Sequence, residues 1–298
     1  MEKSGLSMKS VVFATDFLES SRLALDYAVA FAHHYDATLT IMHAFDLSPE
    51  AEEVEMLNRR SSISREHALD RLEGFASGIR RSGIRTKIDL RAGAVCGAVL
   101  TSAQSDAADL LVLGTHGVFR GLQHLVLGSN AEKILLAARC PTLTVGRHVM
   151  AGIDLNLKFN EILFVSDFTL EAAAAASYAL SLGRDLKVPV ELVQIASVDQ
   201  TMSPQSIHKL AEQYCNALDS NPLVGNREWC TPGYQLEKTV TTGELMERAT
   251  RLTNSLLVLG VRTASPLNRH LHASFAYELV AKASCPLISI HNSEEASK

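Results

Sequence analysis

Ser10-Val11-Val12-Phe13-Ala14-Thr15-Asp16-Phe17 and Glu161-Ile162-Leu163-Phe164-Val165-Ser166-Asp167-Phe168 are nearly the same stretch, written 151 positions apart. The correspondence continues along the chain. Tyr27-Ala28 answers Tyr178-Ala179, and Leu39-Thr40-Ile41 answers Val190-Glu191-Leu192. Leu110–Gly114 matches Leu256–Gly260, and Cys140-Pro141-Thr142-Leu143-Thr144-Val145 matches Cys285-Pro286-Leu287-Ile288-Ser289-Ile290. One long period means duplication of a whole domain rather than a solenoid of short repeats. At 298 residues the chain has room for two such domains, 1–150 and 151–298. Their boundary is expected in Gly146–Asn160, where Gly152, Asp154, Asn156 and Lys158 interrupt the apolar pattern.

Within the first copy, short apolar runs alternate with helical periodicity. Strands are expected near 10–15, 38–44, 85–91, 109–114 and 142–146, and helices near 19–35, 60–82, 95–106 and 128–139. Alternation of this kind gives βαβ units. The fold class is therefore α/β: two tandem copies of a five-stranded parallel sheet, doubly wound, with helices on both faces. Such sheets bind ligands outside the strand carboxyl ends, where strand order reverses. Asp16 and Gly114 both stand at strand ends, and they share a crevice if the first and fourth strands are neighbours.

The apolar run Leu110–Leu113 breaks into Gly114-Thr115-His116-Gly117, and a new periodic segment begins after Gly128-Ser129. Strand, glycine loop and helix start together suit phosphate, since unpaired N–H groups and the positive end of the helix dipole lie where backbone can approach closely. Ser129 with Glu132 three residues on has the pattern of a capping box. The same glycines also suit tight turns with no ligand. Neither a G-x-x-x-x-G-K-[ST] loop nor a G-x-G-x-x-G following a strand occurs, so both of those nucleotide classes are excluded.

Composition narrows the partners. A net charge of −5 argues against a nucleic-acid face. No run approaches the ~18 apolar residues of a membrane span, and Met1–Gly5 lacks the apolar core of a signal peptide. Cys96, Cys140, Cys215, Cys230 and Cys285 are scattered without a C-x-x-C pair, as expected of reduced cytoplasmic thiols. His270-x-His272 offers two metal ligands without a third. The polar stretches 46–60 and 197–206 are expected to be surface connections, and no role is assigned to Trp229–Gly233.

Taken together, these pieces resemble the universal stress protein family in its tandem two-domain form, over Ser10–Val145 and Glu161–Ile290. The resemblance rests on Ala14-Thr15-Asp16-Phe17, Met42-His43-Ala44, Gly93, and the Gly-x-x-Gly…Gly-Ser signature of Gly114, Gly117, Gly128 and Ser129. It implies ATP, with Mg²⁺, as a regulatory ligand of the first copy. Ala14, Thr15, Asp16 and Ala44 would surround the adenosine; Leu113, Gly114, Gly117, Gly128, Ser129 and Asn130 would surround the phosphates. Asp16, an acceptor when ionised, suits a ribose hydroxyl or the adenine amino group.

The sequence departs from the family pattern at two places. Ten residues separate Gly117 from Gly128 where the pattern has nine, the extra one falling in Val118-Phe119-Arg120. The second copy reads Gly260…Thr263…Ala273-Ser274 and so loses two of three glycines, which marks it as a structural or dimerising partner. Catalysis is not expected beyond slow, incidental ATP hydrolysis. A fold class that also hosts adenine nucleotide hydrolases suggests an enzyme on an adenylated substrate, but the S-G-G-x-D-S type of loop is missing. The rival reading is a protein-interaction module with an unknown client and no nucleotide. The last strands, Thr142–Val145 and Leu287–Ile290, are expected to pair within one chain as a pseudo-dimer, with further association into a homodimer open.

Overall fold

The structure, a computed structural model, describes residues 6–45, 65–115, 128–149, 153–166, 170–195, 239–261 and 272–291. The first half contains β1 (Ser10–Ala14), α1 (Glu19–His34), β2 (Thr38–Phe45), α2 (Arg65–Arg81), β3 (Thr86–Ala92), α3 (Val95–Ser105), β4 (Leu110–Gly114), α4 (Ser129–Ala137) and β5 (Thr142–Val145). The second contains β6 (Ile162–Ser166), α5 (Leu170–Leu186), β7 (Val190–Ile195), β8 (Thr239–Val240), α6 (Thr242–Ala249), β9 (Leu256–Val261), α7 (His272–Lys282) and β10 (Leu287–His291). The expected elements of the first copy are present, with ends that move by a residue or two. Residues 60–64 of the expected second helix, the polar stretches 46–60 and 197–206, and Trp229–Gly233 lie outside the described residues.

All ten strands form one sheet in the order β3-β2-β1-β4-β5-β10-β9-β6-β7-β8. Every neighbouring pair is parallel except β5–β10, which is antiparallel. The order within the second half repeats that of the first. Burial on both faces explains why the central strands read as unbroken apolar runs: Val11, Val12 and Phe13 of β1 and Leu110–Leu113 of β4 are all buried. Side chains alternate between two cores. Val11, Phe13, Val112 and Leu143 pack under α1 and α2, a layer that α5 continues in the second half. Val12, Leu111 and Leu113 pack against α3 and α4, continued by α6 and α7.

The last strands do meet as expected, Leu287 opposite Thr144 and Ser289 opposite Thr142. This seam is short, and its buried hydroxyls are used. Thr144 Oγ1 donates to the Leu287 carbonyl (3.2 Å) and Ser289 Oγ to that of Thr142 (3.3 Å). Asp185 of α5 accepts from the Leu6 amide (2.8 Å) and the Tyr35 hydroxyl (3.3 Å), tying the halves together on the α1 side. Ala175, Ala176 and Ala179 are fully buried, so the alanine-rich α5 lies close to the sheet. The connection from β5 to β6 is more than a polar spacer. Val149, Leu157 and Phe159 are buried in it, and Phe159 stacks on Tyr27 at 6.4 Å.

The seam is not symmetric. Gly146, just past β5, lies so close to α7 that a Cβ there would sit 2.7 Å from the Val280 carbonyl. His291, at the end of β10, is buried with neither ring nitrogen in a hydrogen bond. Burial lowers its pKa from the ordinary 6.5, and the Leu135 carbonyl of α4 offsets this only in part. An unfolded chain takes up a proton near pH 6.5 that the native ring resists. Stability is therefore full above that pH and falls as the pH drops towards the lower folded value. Urea midpoints measured between pH 7.5 and 5 are expected to fall less steeply for His291→Leu than for the wild type.

Candidate nucleotide site

Strand order reverses at β1, which lies between β2 and β4, so the topological switch point is at the carboxyl ends of these three strands. Ala14 is paired with Leu113. Ala14, Ala44 and Leu113 belong to the same side of the sheet, the side of α3 and α4. Three neighbouring strands thus end in a small apolar floor.

Asp16 is exposed at the head of a tight turn. One of its oxygens, Oδ1, accepts from the Leu18 amide at 2.9 Å. A carboxylate has about four acceptor positions, so this bond does not exhaust it. Thr15, immediately before it, is buried and faces away from the floor. Its Oγ1 accepts from the Phe17 amide (2.9 Å) and lies 3.0 Å from Ser21 Oγ. Ser21 Oγ donates to the Leu18 carbonyl (2.8 Å), so the Thr15 proton goes to Ser21. The Thr15 side chain therefore shapes the turn from behind. Phe17 holds φ at 62°, a left-handed conformation a phenylalanine keeps only where its surroundings fix it.

At the other lip, Gly114 ends β4 and the Thr115 amide donates to the Val145 carbonyl (3.2 Å). The Gly128 amide donates to the Thr115 carbonyl at 3.3 Å, so the chain returns to the point where it left β4. Helix α4 starts at once, with Ser129 and Asn130 exposed in its first turn. The expected capping box is not formed here. Gly128 occupies the N-cap, Ser129 is already inside the helix, and among the described residues no side chain caps the first turn. A capping serine must stand one residue earlier, in extended backbone, for its oxygen to reach back to the free N–H groups. Among the described residues those groups have no side-chain acceptor. A capping box does form at α6, where Thr241 and Glu244 bond reciprocally, so Glu244 is a cap. Gly117, His116, Arg120 and Gly121 lie outside the described residues, as do Asp167, Thr263 and His270 in the second half.

Behind the turn lies a cluster that sequence reasoning passed over. His43 Nδ1 is 2.8 Å from the Thr15 carbonyl, and its ring packs on Phe17 with centroids 4.3 Å apart. Arg71 of α2 sits 4.3 Å over the same Phe17 ring and donates to the Phe17 carbonyl at 3.2 Å. Burial lowers the His43 pKa; the Thr15 carbonyl and the Asp16 charge oppose this, and the Arg71 charge adds to it. The positive φ at Phe17 is invisible in a sequence, and a histidine on a buried strand gives no local sign of its partner.

The remaining candidates are structural. Burial raises the thiol pKa of Cys140 to about 11 and that of Cys285 to about 12, so both are inert apolar groups at neutral pH. Glu247 pairs with Arg251 (2.5 Å), and Arg248 grips Glu191 through two nitrogens (2.7 and 2.6 Å). The hollow of about 260 Å³ that α6 borders is lined by these paired charges and lies away from the β1–β4 crevice. Among the described residues no three His, Cys, Asp or Glu side chains are grouped to hold a metal, and no helix is long and apolar enough to cross a membrane.

Comparison with known proteins matches residues 8–146 to the universal stress protein family. A universal stress protein of Thermus aquaticus is 32% identical over 143 residues, which cover 46% of this chain and 98% of that protein. One from Methanocaldococcus jannaschii is 29% identical over 142 residues, covering 46% of this chain and 81% of the relative. Among solved structures, the universal stress protein of Archaeoglobus fulgidus DSM 4304 superposes on nearly the whole chain, 96% of this one and 99% of the other, with a TM-score of 0.64 at 14% identity. The last likeness is one of fold.

Proposed function

The chain belongs to the universal stress protein family, and on that premise we propose that its first half, residues 1–150, binds ATP as a regulatory ligand. In this reading the adenosine rests on the floor of Ala14, Ala44 and Leu113, with Asp16 accepting from a ribose hydroxyl. The phosphates lie along Gly114 and Gly117 and against the start of α4 at Gly128, Ser129 and Asn130. Mg²⁺ would neutralise phosphate charge, held by phosphate oxygens and water more than by protein groups. The second half, residues 151–298, carries the eroded glycine signature and acts as a structural partner. The protein works in the cytoplasm as a sensor that changes its affinity for a protein client, not as an enzyme.

The observation that carries this reading is the meeting, at one topological switch point, of an acidic turn, a small apolar floor and a helix start whose N-cap is a glycine. That set matches the three parts of a nucleoside phosphate: hydroxyls, base and anion. The test is calorimetric titration of ATP with Mg²⁺ into the full-length protein, after assay of any nucleotide carried through purification. Saturable binding of one ATP per chain is expected. Two ATP per chain would overturn the reading of the second half. No binding at millimolar ATP would overturn the nucleotide reading and leave a protein-interaction module.

A further inference from the structure

We propose that His43 is a positioning residue for nucleotide binding, holding the turn that carries Asp16 through a hydrogen bond to the Thr15 carbonyl. This rests on the reading of the first half as a nucleotide site.

The backbone ladder between β1 and β2 ends with Ala14 opposite Met42, apart from one further bond from the Thr15 amide to the Met42 carbonyl (3.0 Å). Past that point the sheet supplies no partner for the Thr15 carbonyl, although Thr15 is buried. His43 fills the gap. Because a carbonyl can only accept, Nδ1 must carry the proton, and this fixes the tautomer of the neutral ring. Side-chain alternation along β2 places His43 on the α1–α2 side, opposite Ala44 on the crevice floor. The residue therefore touches the proposed ligand nowhere and acts through the backbone.

The bracket has further parts. Phe17, held at φ 62°, is packed by the His43 ring, by Phe75 at 6.0 Å and by the Arg71 guanidinium. Arg71 also fixes the Phe17 carbonyl, and Thr15 Oγ1 fixes the Phe17 amide. The residues on either side of Asp16 are thus tied from the face remote from the crevice, which holds the backbone from which the carboxylate projects. Preorganisation of this kind spares the ligand the ordering of a loop when it binds.

Two measurements test this. In the ligand-free protein, amide hydrogen exchange at Phe17 and Leu18 is expected to rise about tenfold or more in His43→Phe, which keeps the ring packing and removes the N–H. His43→Asn, which retains a donor near the Nδ1 position, is expected to restore protection. In binding, His43→Phe is expected to weaken ATP about tenfold, the size of one charge-assisted hydrogen bond lost from Asp16. It should change 2′,3′-dideoxy-ATP by less than about twofold, because that analogue has no ribose hydroxyl for Asp16. Equal losses for both nucleotides, or unchanged exchange at Phe17 and Leu18, overturn the proposal while ATP binding by the wild type stands. Failure of the wild type to bind ATP overturns the site reading itself, and the exchange experiment still decides whether His43 holds the turn.

Discussion

Replacing Gly117 by valine is expected to weaken ATP binding at least about a hundredfold, a loss of about 2.7 kcal/mol. In the proposed binding mode the phosphates approach backbone at this position. A Cβ and two γ-methyl groups would push them away from the N–H groups that hold them, and the branched side chain resists unusual backbone angles. The same substitution is expected to leave the unfolding free energy within about 0.5 kcal/mol of the wild type, because in the sequence Gly117 follows the apolar run Leu110–Leu113 rather than belonging to it. Titration and unfolding measured on the same preparation separate the two effects. Full-strength binding by Gly117→Val would remove the glycine loop from the site and leave only the Asp16 side of it.

Phe31→Ala is expected to lower the unfolding free energy by about 3–5 kcal/mol. Phe31 is completely buried on the inner face of α1, in the core it shares with Phe13, Val112 and Leu143. Helix α1 packs against β1, β4 and β5, from the crevice strands to the seam. The ring also lies in the layer that continues under α5, so the space left by its removal cannot close by a small shift of α1 alone. The result should appear as a lower midpoint with an unchanged dependence on denaturant. Since ΔG of unfolding for native proteins is about 5–15 kcal/mol, the variant should be marginal at 37 °C.

Much of the architecture was legible because its causes are local or periodic. The runs Val11–Phe13 and Leu110–Leu113 are strands buried on both faces. Their repeat in the second copy gave two five-stranded sheets, which the antiparallel β5–β10 seam joins into one of ten strands. The meeting of Thr142–Val145 with Leu287–Ile290 followed from the family resemblance. The capping motif at Ser129 misled because the spacing of serine and glutamate does not say which residue leaves the helix first; Gly128, free of a side chain, took the N-cap. The bracket of His43, Arg71 and Phe17 was hidden for a different reason. Its members are 54 residues apart between Phe17 and Arg71, and only the packing of α2 on β2 and β3 brings them together. The asymmetry of Gly146 and His291 was likewise hidden, because each looks unremarkable until the opposite helix is in place.

That asymmetry has a geometric consequence. The antiparallel seam gives the two halves opposite strand polarity, so the carboxyl ends of β1–β5 open on one edge of the sheet and those of β6–β10 on the other. Helix α4 begins at the first edge with Gly128 and runs about 13 Å towards the second, where its Leu135 carbonyl faces His291 at the end of β10. Helix α7 repeats the relation in reverse, its Val280 carbonyl pressed against Gly146. Each helix is a strut that starts at the carboxyl edge of its own half and ends beside the last strand of the other half. In the proposed binding mode, a ligand that drew the start of α4 inward would move its far end against the opposite edge. By linkage, a client gripping that edge would change ATP affinity by the same factor by which ATP changed the client's grip.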